Sequence, residues 1–474
     1  MEFESTIGLE VHVELSTNTK IFCGCSTEFG GIPNSHVCPV CLGLPGSIPM
    51  INKKVIEYAI KAGLALNCSI ANNSRMDRKN FFYPDCPKNY QITQDKFPLC
   101  RNGYIEIEGE NNKEKKIRIE RIHIEEDAAK LIHTENGTLV DYNRSGVPLI
   151  EIVSKPDIES PKEATMYLQK LKSILQAIGV SDCKMEQGSL RCDGNISVKE
   201  KTCIKLGVRT ELKNINSFKA LEKAFEYEIK RHIKAIENGE KIERETRRWD
   251  DEKGRTSVMR SKEQANDYRY FPDGDLVAIK ISDEDVKRIK KTIPELPYEM
   301  AERFEKEFKI SKYDAAVLTS NLKIADFFEN AAKLSGNPKS AANWIMGDMS
   351  KFMNEKSISI EDLKFTSSEL ADLIKLVDSH KISNNIGKKV IEEMFETGES
   401  PYDIVNKKGL AQNNNEGEIY EIVKKVILKN PKSVQDYKNG KKKAAKFIIG
   451  MIMKETKGNA NPEIVNKLVN KELR

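Results

Sequence analysis

A carboxylate, Glu151, stands in the otherwise apolar run VPLIEIV at 147–153. Moving an unpaired carboxylate out of water costs several kcal/mol even after its surroundings relax, so a strand of this kind calls for a cation beside it. Asn143, Arg144 and Gly146 form a polar turn before it, and Pro148 favours an extended entry. That turn offers one partner, a structural pairing with Arg144; the other is a functional cation brought in by neighbouring strands. In IGLEVHVEL, 7–15, the apolar Ile7, Leu9, Val11, Val13 and Leu15 alternate with Gly8, Glu10, His12 and Glu14. This is a strand with one buried face, and Glu10, His12 and Glu14 project together from the other. RIHIEEDA, 121–128, alternates again, with His123, Glu125 and Asp127 on one side and Ile122 and Ile124 on the other. Carboxylate oxygens with one imidazole suit a hard cation such as magnesium, which keeps several waters and is shared with nucleotide phosphates. A solvated polar face is the plainer reading of the same alternation.

Ten cysteines without an export signal argue for thiols or metal rather than disulfides. Cys23 and Cys25 lie one residue apart and Cys38 and Cys41 two apart, in CPVCLG. Cys-Pro-x-Cys followed by Leu-Gly has the form of a zinc knuckle, whose turn aims both thiolates at one ion. Four thiolates leave no position open for water, so such a zinc would be structural.

Segment 77–94 interleaves Arg78, Lys79 and Lys88 with Phe81, Phe82, Tyr83 and Tyr90. Cations beside aromatic faces hold phosphate and stack bases; a packed aromatic loop has the same composition. Residues 401–474 carry 16 Lys or Arg against 8 Asp or Glu, in a chain whose net charge is +5. A basic tail on a near-neutral body is the footprint of a module that touches phosphates, or else of a merely soluble helical end. Lys441, Lys442, Lys443 and Lys446 cluster on a helix-like stretch, and Lys454 follows. The chain has no P-loop and no Gly/Ser-rich amidase signature.

The elements that carry these residues are readable in outline. Ser160, Pro161 and Glu163 supply a cap, a first-turn proline and a capping-box glutamate; Tyr167, Leu168, Leu171, Leu175 and Ile178 then form one apolar face. A second helix is expected from Phe218 to Gly239. Pro294 and Pro297 break the pattern, beyond which strand-like alternation nearly vanishes. The expected architecture is α+β: a mixed-sheet domain with a zinc knuckle over 1–293, an all-helical domain over 294–405, and a small basic helical tail over 406–474. No apolar run is long enough for a membrane span, and no basic-then-apolar leader opens the chain, so a cytoplasmic protein without membrane partners is expected.

IGLEVHVEL, DRKNFFYPDCPKNYQITQ at 77–94, HIEEDAAK at 123–130, DYNRSGVPLIEIV at 141–153, SLRCDGNIS at 189–197, ELKNINSF at 211–218 and DYRYFPDGDL at 267–276 together resemble the GatB family, the B subunits of the aspartyl/glutamyl-tRNA(Asn/Gln) amidotransferases. The resemblance implies a cradle-like catalytic domain that binds ATP, magnesium and the aminoacyl end of tRNA. It implies a ligase that phosphorylates the side-chain carboxylate of Glu-tRNA(Gln), Asp-tRNA(Asn) or both, then amidates it with ammonia. Glu10, His12, Glu125 and Glu151 are the implied magnesium ligands, and Glu10, Glu125, Glu151 and Lys79 the implied catalytic set. Lys79 is implied to meet the phosphate or acyl phosphate, Lys88 to stand where ammonia enters, and Arg78 and Asp193 to help bind the cofactor; Glu126 and Asp127 are further candidates. The implied partners are an amidase-type glutaminase subunit of the same complex, its small third subunit, and tRNA, whose body the tail lysines would grip. The rival function is a zinc-stapled tRNA-binding scaffold without chemistry of its own.

Overall fold

The computed structural model describes residues 2–109, 113–261, 267–411, 415–439, 441, 443–456 and 460–473. The chain divides into two compact units, Met1–Leu296 and Pro297–Arg474. In the first, nine strands form one mixed sheet: β1 (Phe3–Glu14), β2 (Ser69–Ile70), β3 (Cys100–Glu108), β4 (Glu114–Glu126), β5 (Pro148–Ser154), β6 (Leu190–Glu200), β7 (Thr210–Ile215), β8 (Glu245–Asp250) and β9 (Arg255–Ser261). Their order is β9-β8-β7-β6-β1-β5-β4-β3-β2, so β1 is central and antiparallel to both neighbours.

The alternation in the sequence becomes two different faces. Ile7, Leu9, Val11 and Val13 of β1 are fully buried, beneath α1 (Lys53–Ala65), α2 (Pro161–Ala177) and α3 (Phe218–Glu237), which pack on that side. Gly194 of β6, opposite Leu9, has no room for a Cβ because the ring of Phe225 on α3 occupies the space. The other face carries the polar residues. Ser160 caps α2 by accepting from the Glu163 N–H at 3.2 Å; the Glu163 carboxylate in return accepts from the N–H of Glu159, one residue before the cap, and from Lys115. Ser217 caps α3 on the Ala220 N–H.

A smaller sheet of Phe271–Pro272, Asp77–Asn80 and Tyr90–Thr93 is tied to the polar face through β4. Gln91 Nε2 donates to the Glu126 carbonyl at 2.7 Å, and Gln94 Oε1 accepts from the Ile124 N–H at 3.0 Å. The second unit is helical, with one buried cluster from Met300 to Val405 and another from Ile419 to Leu473. Among the described residues no helix is long and apolar enough to cross a membrane.

Candidate active site

Register decides which polar side chains meet. Across four adjacent strands Arg191 (β6), His12 (β1), Glu151 (β5) and His123 (β4) are successive partners. Side chains directly opposite share a face, so this row brings a carboxylate between two imidazoles. His123 Nε2 lies 3.2 Å and His12 Nε2 3.7 Å from Glu151 Oε2. Glu125, two residues along β4, stands 3.4 Å from His12 Nε2. One ligand atom from each of His12, Glu125 and Glu151 falls within 4.8 Å of the others. Two carboxylates and an imidazole form a donor set that fits a divalent cation and leaves room for water or phosphate oxygens.

Burial pushes the Glu151 carboxyl up, but His123, His12 and Lys79 outweigh it and hold the group well below the usual carboxylate range. The groups that meet Glu151 are therefore His123, His12 and Lys79; Arg144, the other candidate, lies 3.4 Å from Asp127 and donates to the carbonyls of Ala128 and Ala129. Gly146 ends that turn at φ +83°, a left-handed conformation that favours glycine.

The cluster opens into a cavity of about 260 Å³ whose lining includes His12, Lys79, Lys88, Glu125, Glu151 and Asp193. Lys79 reaches it from the small sheet, its Nζ 4.8 Å from the centre of the Tyr268 ring. Lys88 Nζ sits 2.5 Å from the Glu126 carboxylate, which also accepts from the Ile92 N–H. Asp193 pairs with Lys213 Nζ at 2.5 Å. Two groups stand elsewhere. Arg78 is absent from the lining: its Nε meets Asp273 at 2.6 Å and its guanidinium stacks 4.3 Å from the centre of the Tyr90 ring. Glu10 sits one row from the cluster, where Asn195 Nδ2 donates to it at 2.9 Å; burial, then the charge of Glu151, raises its carboxyl. His123, within the same alternation, is the member of the cluster missing from the implied ligand set.

Cys23, Cys25, Cys38 and Cys41 offer four Sγ atoms within 4.8 Å of one another, a donor set that fits zinc. Lys20 is wholly buried beside them, its Nζ 3.7 Å from Cys41 Sγ and 3.2 Å from the Tyr142 carbonyl. Lys20, Cys23, Cys41, Lys88 and Glu126 are among the residues that line a smaller cavity of about 120 Å³. Lys88 and Glu126 thus line both cavities. In the second unit, Lys443, Lys446 and Lys454 are exposed on the helix Lys443–Glu455, and Lys441 is exposed 3.0 Å from Asp436; Lys442 lies outside the described residues.

Residues 5–287 match the family model described as the GatB/GatE catalytic domain, and residues 326–473 the one described as the GatB domain. Over 473 residues the chain is 66% identical to a Clostridium tetani (strain Massachusetts / E88) protein named as the B subunit of an aspartyl/glutamyl-tRNA(Asn/Gln) amidotransferase, covering 100% of this chain and 99% of that one. It is 67% identical over 472 residues to a protein of the same name from Clostridium botulinum (strain Langeland / NCTC 10281 / Type F), with the same shares covered.

Proposed function

The chain belongs to the GatB family, the B subunits of the aspartyl/glutamyl-tRNA(Asn/Gln) amidotransferases, and from that premise we propose that its first unit phosphorylates the side-chain carboxylate of Glu-tRNA(Gln), Asp-tRNA(Asn) or both and then amidates it. Ammonia does not displace oxide from an ionised carboxylate, so the acid is first made an acyl phosphate. A carboxylate oxygen takes the γ-phosphoryl group of ATP and ADP departs; ammonia then adds to the acyl carbon, phosphate leaves, and one proton is lost to a base. The protein's share of such a transfer is alignment and neutralisation of charge. The observation that carries this reading is the meeting of His12, Glu125 and Glu151, from three adjacent strands, at the cavity that Lys79 and Lys88 also line.

Magnesium bound by His12, Glu125 and Glu151 would neutralise phosphate charge and fix its orientation. Lys79 binds the phosphoryl oxygens, and Asp193, held by Lys213, orients donors at the cavity wall. The Lys88–Glu126 pair, bordering both cavities, is the point at which ammonia from a glutaminase subunit enters. The cysteine quartet staples the adjoining loop through zinc. We assign 1–293 to this chemistry, 294–405 to a helical domain, and 406–474 to holding the tRNA body, with a small third subunit completing the assembly in the cytoplasm.

Co-purification with the glutaminase subunit, followed by ADP release on adding ATP, magnesium and Glu-tRNA(Gln) or Asp-tRNA(Asn), tests the reading. Release should require the esterified amino acid and vanish in Glu151→Gln. Release indifferent to the aminoacyl group would favour the zinc-stapled scaffold and move the chemistry to the partner.

A further inference from the structure

Gly43 stands two residues beyond Cys41, at the end of the CPVCLG stretch. Its N–H donates to the Val40 carbonyl at 3.0 Å, the Leu42 N–H to the Cys38 carbonyl at 3.0 Å and the Leu44 N–H to the Pro39 carbonyl at 2.9 Å. The Cys38 N–H meets Cys41 Sγ at 3.1 Å. These bonds wind one turn around two of the four thiolates, so an ion that holds Cys38 and Cys41 together also fixes Gly43.

What Gly43 touches is Lys88. A Cβ added to Gly43 would overlap Lys88 Cγ and stand 3.1 Å from Lys88 Cα and 3.2 Å from Lys88 Cβ, so the backbone of the thiolate turn lies directly on the lysine stem. At the far end of that stem Nζ is 2.5 Å from each Glu126 carboxylate oxygen, with the two side chains only 10% and 5% exposed. A buried pair of this kind depends on its geometry, because displacing one partner leaves the other charge buried and uncompensated. Lys88's own turn, where the Asn89 N–H donates to the Cys86 carbonyl at 3.0 Å, fixes the backbone and not the flexible four-carbon stem. The carboxylate is approached by the same loop. A Cβ on Gly146 would stand 3.6 Å from Cys41 Cβ and 4.0 Å from Glu126 Oε2, so one glycine separates thiolate and carboxylate.

We propose that Gly43 is a positioning residue for the Lys88–Glu126 pair: the turn that zinc would hold seats the lysine stem, and the thiolate site acts on ammonia delivery through that one backbone contact. The inference rests on the amidotransferase reading and gives the thiolate site a part in the reaction beyond stapling its loop. Because Lys88 and Glu126 line both cavities, a shift of the stem alters a place the two have in common.

Gly46 supplies the control. Both glycines have a left-handed backbone, at φ +66° for Gly43 and +85° for Gly46, but a Cβ on Gly46 meets nothing within 4 Å. Gly43→Ala and Gly46→Ala therefore share the backbone strain, and only the first displaces Lys88. In the complex co-purified with its glutaminase subunit, Gly43→Ala should lower glutamine-driven amidation of charged tRNA at least about tenfold, as a misplaced group does. Amidation driven by ammonium chloride, whose ammonia comes from solution, should stay near the parent's, and Gly46→Ala should change neither. A second readout needs no turnover: acylation of Lys88 by an amine reagent, followed by peptide mass spectrometry. It should run several times faster in Gly43→Ala, and in the parent stripped of zinc by a chelator, than in the zinc-loaded parent. Lys213, paired with Asp193 at 2.5 Å, should be unmoved. If Gly43→Ala does not fold, the stripped parent carries the test. No rise at Lys88, an equal rise at Lys213, or an unchanged ratio of glutamine-driven to ammonium-driven amidation overturns the proposal, as does a Gly46→Ala variant that behaves like Gly43→Ala. Failure of the amidotransferase reading is separate: the parent then amidates no charged tRNA with either donor.

Discussion

Two glutamates, the half-buried Glu151 and the buried Glu228, are each held in the charged form beside histidine, and their surroundings separate the proposed site from a strut. Glu228 on α3 is completely buried and fully engaged: Arg231 Nε donates at 2.9 Å, Thr256 Oγ1 at 2.5 Å, and Arg247 Nε lies 3.2 Å away. His232 adds a contact at 3.5 Å. Glu228 lines neither of the cavities that Lys88 and Glu126 border. Glu151 has two imidazoles beside it and an open cavity in front of it. Perturbed charge alone therefore does not mark chemistry; what matters is whether the partners close around the group or leave positions for something else.

The largest effect that would break this contrast is at Glu151. Glu151→Gln keeps the shape and removes the charge, and amidation should fall by about 10³-fold or more, the size expected when an electrostatic anchor of a charged transition state is lost. Its melting temperature and zinc content should stay close to the parent's by calorimetry and metal analysis. A variant that melts far earlier, or retains turnover, would make Glu151 a strut like Glu228.

Glu228 is predicted to do the opposite. Burial raises its carboxyl, but hydrogen bonds from His232, Arg231 and Thr256 prevail and bring it down to about 2. A carboxylate whose folded value is depressed contributes stability that is complete above its unfolded value and is lost as pH falls through the folded one. With an ordinary value of 4.5, the window runs from about 4.5 down to about 2 and spans on the order of 3 kcal/mol. Glu228→Gln should flatten that part of the stability curve measured by denaturant titration, while ATP-dependent ADP release at neutral pH persists in the folded fraction. An unchanged acid limb would sink the assignment.

Lys88 tests the boundary of the open site. Lys88→Met should lower glutamine-driven amidation by about 10- to 100-fold, within the range of a positioned group in proton or nucleophile delivery, and spare ADP release triggered by charged tRNA. Equal loss of both would place Lys88 with the phosphates, beside Lys79.

The sequence discloses these regions unevenly, for a physical reason. The thiol quartet is legible from spacing because its four members share one stretch of chain, and the helix caps are legible because a cap is a local hydrogen bond. The polar faces of β1 and β4 are legible from a period of two. Which polar residues meet is not, since that depends on register, and a slip of one residue turns every side chain to the other face. Thus His123 joins Glu151 while Glu10 turns to Asn195, and Arg78, which reads as a phosphate ligand beside its aromatic neighbours, is bound by Asp273. The Glu228 network, drawn from α3, β8 and β9, leaves no signal in the sequence at all.

The smallest predicted effect belongs to Lys20, which sharpens the contrast from the side of the closed thiolate site. Four thiolates around a dication carry two net negative charges, and burying that excess is costly unless a cation offsets it. Lys20 is a buried cation in reach, 3.7 Å from Cys41 Sγ, with a second donor directed at the Tyr142 carbonyl. Lys20→Met keeps the apolar stem and the volume and removes only the charge. Zinc affinity measured against a competing chelator should fall by about tenfold, the lower end of what outer partners of a metal site contribute, with the fold and the Glu151 chemistry intact. If zinc affinity is unmoved, the excess charge is screened from elsewhere and Lys20 serves only to fill the space behind the loop.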